Sequence, residues 1–286
     1  TTRPSLQDPA PAASPRLVER SRSGTFELFG AYAARGELAG RNYAAFLTAA
    51  EGRAIAAEAV AARSGQHGCK GCPTPCGLVF ERGRSKGGAR FSATWALGPN
   101  LGFAASSDEP DGAAGPSAFA AALTLLERCD DQGIDAREAG ACLALLARAT
   151  ELGRPSLAEG SVPTDGDDPL APRYGDLDAL ARALDHLPAR GSAALAADLG
   201  LEHEHVASQG QAARPEANLA AVLGQVVSTA GNDPLRAFPF TVARGGHDPR
   251  DPAGKGRLVA WHEDLAAALD LAGFCGVSAA GLLVDG

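Results

Sequence analysis

Apolar positions in this chain recur mostly with a helical period. Phe119, Leu123 and Leu126 fall at i, i+4 and i+7, one face of a helix, and Gly133 is placed to end it. Leu177, Leu180, Leu184 and Leu187 repeat at i, i+3, i+7 and i+10 until Pro188 stops them. Helical patterns also run from Tyr43 to about Arg63, over Ala217–Val227 and over Asp264–Ala272. Leu78–Glu81 and Arg90–Leu97 read as short strands or extended segments, joined by the basic, glycine-rich loop RGRSKGGA. Glycines punctuate short elements between Gly24 and Asn42, and residues 1–20, with four prolines, read as a flexible lead. The polar stretch RPSLAEGSVPTDGDDPLAPRYG marks a surface insertion or a domain junction.

Composition sharpens this picture. Apolar residues make up 45% and aromatics only 5%, so Ala, Leu and Val must build the core, a mixture that favours helix over sheet. The expected fold is mainly α with a few short strands. Against 34 acidic residues stand 26 Lys and Arg, a balance of −8, which argues against affinity resting on phosphate neutralisation. No apolar run approaches the roughly 18–20 residues of a membrane span, and the N-terminus lacks the apolar region of a secretory signal, so a cytoplasmic location is expected. Met is absent even at position 1, so the chain is expected to be trimmed, processed or part of something longer.

Six cysteines carry the clearest chemistry. Cys69, Cys72 and Cys76 form C-x2-C-x3-C, and Pro73 and Pro75 keep that turn out of a regular helix. Three thiolates so close can converge on one point, and a cubane iron–sulfur cluster is commonly held by such a group with a remote fourth cysteine. Cys275, in DLAGFCG just after the helix break at Gly273, is the candidate fourth ligand. Structural zinc competes, but zinc sites usually pair two C-x2-C knuckles and no second one occurs here. A disulfide framework fits neither the missing export signal nor the chain length. Cys129 and Cys142 lie among Leu and Ala on helical faces and read as core thiols.

One short motif occurs twice. Asp130-Asp131-Gln132-Gly133-Ile134-Asp135 and Asp270-Leu271-Ala272-Gly273-Phe274-Cys275 share D-x-x-G-apolar-(D/C), each at the end of an amphipathic helix. A C-cap explains the glycine and the apolar residue. It does not explain the Asp, because a carboxylate in a helix's last turn opposes the macrodipole. A carboxylate placed to accept N–H bonds from a heterocycle would explain it.

These residues carry a resemblance. The chain resembles the C-terminal two-thirds of the aldehyde:ferredoxin oxidoreductase family, tungsten- or molybdenum-bispterin enzymes. The matching segments are Gly24-Thr25, GELAGRNY (Gly36–Tyr43), the cysteine turn, WALGPNLG (Trp95–Gly102), ERCDDQGIDAREAG (Glu127–Gly140), YGDLDAL (Tyr174–Leu180) and DLAGFC (Asp270–Cys275). The resemblance implies two helical domains, 21–190 with the three clustered cysteines and 191–286 with the fourth. It implies that Asp130, Gly133, Ile134 and Asp135 hold one pterin and that Asp270, Gly273 and Phe274 hold the other, with Asn100 in the loop lining the site. Cys69, Cys72, Cys76 and Cys275 would bind a 4Fe-4S cluster that passes electrons to a ferredoxin-like acceptor. A β-rich, N-terminal pterin-binding domain would come from the same polypeptide or from a separate subunit. The implied reaction is oxidation of an aldehyde to a carboxylic acid.

The sequence departs from the family pattern at two positions of acid–base chemistry. Ser92 stands where the family carries an acidic residue, and Pro234 where it carries a histidine. Neither residue can titrate, so the catalytic residues stay unassigned and a non-catalytic iron–sulfur or structural subunit is the alternative. His203-Glu204-His205 lacks a third placed ligand, His247-Asp248-Pro249-Arg250 reads as a turn, and Lys255 lacks the context of a phosphate-binding loop. The basic loop Arg82–Lys86 would suit an acidic electron acceptor.

Overall fold

The architecture follows from how an alanine-rich chain brings its helices close together. The computed structural model describes residues 15–70, 72, 75–82, 85–104, 115–154, 171–187, 191–201, 218–227 and 248–275. Its helices are α1 (Pro15–Ser23), α2 (Glu27–Ala34), α3 (Ala49–Ala62), α4 (Phe91–Leu97), α5 (Ala118–Gln132), α6 (Ala136–Glu151), α7 (Leu177–Asp185), α8 (Gly191–Asp198), α9 (Leu219–Val227) and α10 (Lys255–Leu271). Short strands β1 (Ala39–Gly40) and β2 (Ala45–Phe46) pair with each other. Strands β3 (Gly65–His67), β4 (Gly77–Arg82) and β5 (Ser85–Ala89) form an antiparallel sheet in the order β3-β4-β5. The fold is mainly helical, as the composition implies. No described helix is long and apolar enough to cross a membrane.

Local signals set the helix limits. Thr48 and Glu51 close a reciprocal capping box that starts α3, with the Glu51 N–H donating to Thr48 Oγ1 at 3.3 Å and the Thr48 N–H to Glu51 Oε2 at 2.7 Å. The helical pattern expected from Tyr43 therefore begins six residues later. Arg41, Asn42 and Tyr43 instead take left-handed φ values of 48°, 50° and 63°. Residues 90–97, expected as extended, are an extended Arg90 followed by α4, and residues 85–89 of the expected loop are β5. α10 begins at Lys255 rather than at Asp264. α1 occupies residues 15–20 of the expected flexible lead; residues 1–14 of that lead lie outside the described ones.

One large core joins α2–α8 and the sheet. Phe26, Phe80 and Phe119 meet edge-on at its centre, with Phe80 and Phe119 ring centroids 5.1 Å apart. α4 lies against α6 where a Cβ on Gly140 would stand 2.6 Å from the Ala96 carbonyl, so that crossing needs glycine. α8 adds Leu195 and Ala196 to this core, just beyond the expected junction at 190/191. A second, small cluster packs Ala220 of α9 on Val259 of α10, supported by Leu223 and Leu258.

Candidate functional site

The cysteine bend runs from the end of β3 to the start of β4, so both its ends are pinned by one ladder in which His67 pairs with Gly77. The Cys72 N–H donates to the Cys69 carbonyl at 3.1 Å, turning the chain between the first two thiols. At the far end, the Cys76 carbonyl accepts from both the backbone N–H and the hydroxyl of Thr25, at 3.0 and 2.9 Å. The same hydroxyl accepts the Phe91 N–H at 3.0 Å. Thr25 thus ties the bend to the first turn of α4. Gly24 makes room for the bend, since a Cβ there would lie 2.9 Å from the Cys76 oxygen. The sequence held the Gly-Thr pair as part of its resemblance without a role for it.

None of the six cysteines is in a disulfide. Cys69 and Cys275 are exposed, while Cys72 and Cys76 are half-buried. Among the described residues no three or more His, Cys, Asp or Glu side chains are gathered where they could hold a metal ion. Cys129 and Cys142 are set apart by their surroundings. Burial, joined by the negative charge of Asp130 and Asp135, pushes the Cys129 thiol from 9.0 up to about 12. Burial and Glu138 do the same to Cys142. Thiols held protonated in this way are poor metal ligands and suit the core role expected of them.

Both D-x-x-G segments adopt one backbone form. Gly133 is left-handed, its N–H bonds the Asp130 carbonyl at 3.2 Å, and the Ile134 N–H bonds the Cys129 carbonyl at 2.9 Å. Gly273 repeats this, with the N–H of Gly273 on the Asp270 carbonyl at 3.1 Å and the N–H of Phe274 on the Leu269 carbonyl at 2.9 Å. Each is a Schellman cap made entirely by the main chain, so neither Asp carboxylate is needed for it. Beyond the cap the two copies part. Ile134 packs against the large core, and Asp135 starts α6 by accepting the N–H groups of Arg137 and Glu138 at 3.0 Å each. Phe274 is 62% exposed, and Cys275 follows it at the surface.

A cavity of about 730 Å³ opens between the cysteine bend, the start of α4 and the junction of α5 with α6. It brings Cys76 together with Asp130 and Asp135, three residues that the resemblance gives to neighbouring cofactors. Arg90 and Ser92 line it from α4's side, Arg137 from α6, and His67 from β3. Gly133 and Ile134 sit at the same helix end as Asp130. Asp270, Gly273, Phe274 and Cys275 end α10, outside the large core's residues. Asn100 is buried, its side-chain oxygen taking the Asn42 N–H at 3.2 Å and its amide reaching the Gly140 carbonyl at 3.5 Å. It anchors the left-handed turn at Arg41–Tyr43 from beneath. Arg41 also stands over the Tyr174 ring at 5.2 Å and pairs with Glu151. Lys255 is buried and donates to the Asp248 carbonyl at 2.6 Å, which makes it a tie within its own turn. Pro234, His203, Glu204, His205 and His247 lie outside the described residues, as do Gly83 and Arg84 of the basic loop.

Comparison with known proteins adds one match. The profile of a family described as aldehyde ferredoxin oxidoreductase, domains 2 & 3, matches residues 10–284. No curated protein sequence matches the chain.

Proposed function

The chain belongs to the aldehyde ferredoxin oxidoreductase family, spanning its domains 2 and 3, and from that premise we propose that it is the helical part of a tungsten- or molybdenum-bispterin oxidoreductase. The observation that carries this reading is the cavity shared by Cys76 of the cysteine bend and Asp130 and Asp135 of the first D-x-x-G end. Its volume of about 730 Å³ suits a group of heterocyclic size, and its acidic wall offers acceptors for ring N–H donors. The donor set also fits an iron–sulfur cluster. Three thiols outside any disulfide leave one proline-broken bend, and a fourth follows the second helix end.

In this reading Asp130 and Asp135 orient one pterin, and Asp270 with Gly273 and Phe274 the other. Cys69, Cys72, Cys76 and Cys275 hold a 4Fe-4S cluster. When bound, these groups supply two-electron chemistry at the metal and one-electron steps outward to a ferredoxin-like acceptor. The protein's own part is placement. Thr25 fixes the Cys76 end of the bend against α4, and Asp135 fixes the start of α6, so the two walls of the cavity keep their spacing. A separate N-terminal pterin-binding domain, on the same polypeptide or another subunit, completes the enclosure. Aldehyde oxidation to a carboxylic acid is the proposed reaction.

One observation favours a second reading. Ser92 lines the cavity and has no titratable proton to offer near neutral pH, so a non-catalytic relay or structural subunit would keep this cavity without turnover. Metal and sulfide analysis of the purified chain with its partner domain separates the two. Tungsten or molybdenum together with iron and labile sulfide supports the enzyme, iron and sulfide alone support the relay, and zinc without labile sulfide overturns both.

A further inference from the structure

The polar groups on the cavity wall divide into those already engaged and those facing open space. Asp135 is engaged twice over, as the cap of α6 and through Arg137, whose Nε lies 3.8 Å from Asp135 Oδ1. Asp130 is engaged as well. The Thr25 hydroxyl gives its proton to the Cys76 carbonyl and accepts from the Phe91 N–H. Arg90 and Ser92 differ: among the described residues, neither side chain has an ion-pair or hydrogen-bond partner, and both line the cavity. Arg90 occupies the N-cap position of α4, where a donor-only side chain cannot accept a backbone N–H and so stays uncommitted to the helix. The unengaged side chains of this wall thus include a guanidinium with five donors beside a hydroxyl, and the His67 imidazole lines the same wall. A planar guanidinium fork matches the paired oxygens of a carboxylate or phosphate, and a neighbouring hydroxyl can add a third bond.

We propose that Arg90, with Ser92 beside it, is an anion-recognition end of this cavity, which takes molecules bearing a carboxylate or phosphate group. The anion has two possible bearers, an acidic substrate or the phosphate of the bound cofactor; naming either one rests on the redox reading above, whereas the anion site itself does not. Arg90 is exposed, and at such a position one arginine contact carries at most about a tenfold change in affinity, an effect that weakens as salt is raised.

The first test is calorimetric titration of the full chain with inorganic phosphate and, separately, with succinate. Binding of either anion should weaken by up to about tenfold in Arg90→Ala, less in Arg90→Lys, and vanish in Arg90→Glu. Unchanged melting temperature and far-ultraviolet dichroism exclude misfolding as the cause, and this is the expected result because the Arg90 side chain holds no partner among the described residues. Failure of both anions to bind, or equal binding by Arg90→Ala, overturns the proposal. In the cofactor-loaded protein, loss of pterin from Arg90→Ala identifies the cofactor phosphate. Retained pterin with a KM raised for an acidic aldehyde but not for a neutral one identifies the substrate. If the wild-type protein holds neither pterin nor cluster metal, the redox reading fails while the anion titration still decides the Arg90 site.

Discussion

The two D-x-x-G helix ends place the same four-residue turn in opposite settings. At Asp130–Asp135 the turn is built into a wall: Ile134 packs on the core, Asp135 begins α6, and the acids border a cavity. At Asp270–Cys275 the turn stands open, with Leu271 90% and Phe274 62% exposed. Main-chain bonds alone make both turns, so their shared geometry carries no information about function. Function must be read from what surrounds each Asp, and among the described residues the first copy is the one that borders the cavity.

The sharpest way to break this comparison is at sulfur. Cys72→Ser on the bend and Cys275→Ser at the second helix end should each cost most of the cluster iron, labile sulfide and visible absorbance, since a cubane needs all four thiolates. If Cys72→Ser loses iron while Cys275→Ser keeps it, the second helix end has no part in the cluster. A smaller effect tests the turns themselves. An added Cβ meets nothing within 4 Å at either Gly133 or Gly273, so Gly→Ala reports backbone strain alone, about 1–2 kcal/mol. Gly133→Ala should lower the melting temperature of the large core by a few degrees. Gly273→Ala, at the end of α10 away from the small α9–α10 cluster, should leave that transition in place, and equal shifts would show that the two helix ends unfold as one unit.

The sequence exposed some of this and hid the rest for physical reasons. α5 and α7 were legible because each buries one periodic stripe; α5 ends at Gly133 as expected, whereas α7 ends at Asp185, short of the Leu187 and Pro188 that marked its expected end. Both left-handed glycines were legible as caps. Residues 91–97 were not, because Phe91, Trp95 and Leu97 satisfy an alternating pattern as well as a helical one. Long-range contacts settle the choice, as the Phe91 N–H reaches Thr25 and Trp95 Nε1 donates to the Ala39 carbonyl at 2.8 Å. The start of α3 was written in Thr48-x-x-Glu51, but the apolar Tyr43 drew the expected start too early. Within the candidate site, the cysteine spacing and the two Asp motifs were visible, whereas Thr25 and Arg90 were not. A lone Thr or Arg gains meaning only from the elements that fold against it.

A third contrast is chemical. Only the first helix end carries a buried thiol, Cys129, beside its Asp. Its folded value of about 12 lies above the ordinary 9.0, so the protonated form is the one the fold stabilises. That contribution is complete below the ordinary value and is lost as pH rises from about 9 toward 12. Cys142 acts in the same sense, and so does Tyr174, raised by burial and Glu151. Thermal melts should therefore fall progressively above pH 9, and Cys129→Ala should flatten that slope at the expense of a small cavity at neutral pH. An unchanged slope would mean that Cys129 is solvated when the chain is folded.

The smallest expected effect separates a packed apolar residue from a waiting one. Ile134→Ala removes a half-buried side chain from the large core and should cost about 1–2 kcal/mol in denaturant unfolding. Phe274→Ala removes a mostly exposed ring and should change the stability of the isolated chain by less than about 0.5 kcal/mol. The informative step is to repeat both after loading with cofactor and partner domain. If the second helix end is a half-site, the ring becomes covered, and Phe274→Ala then costs stability or cofactor retention that it did not cost before. If Phe274→Ala stays neutral in the assembled protein, the turn at Gly273 is only a helix stop, and the second pterin contact has to be sought on another element.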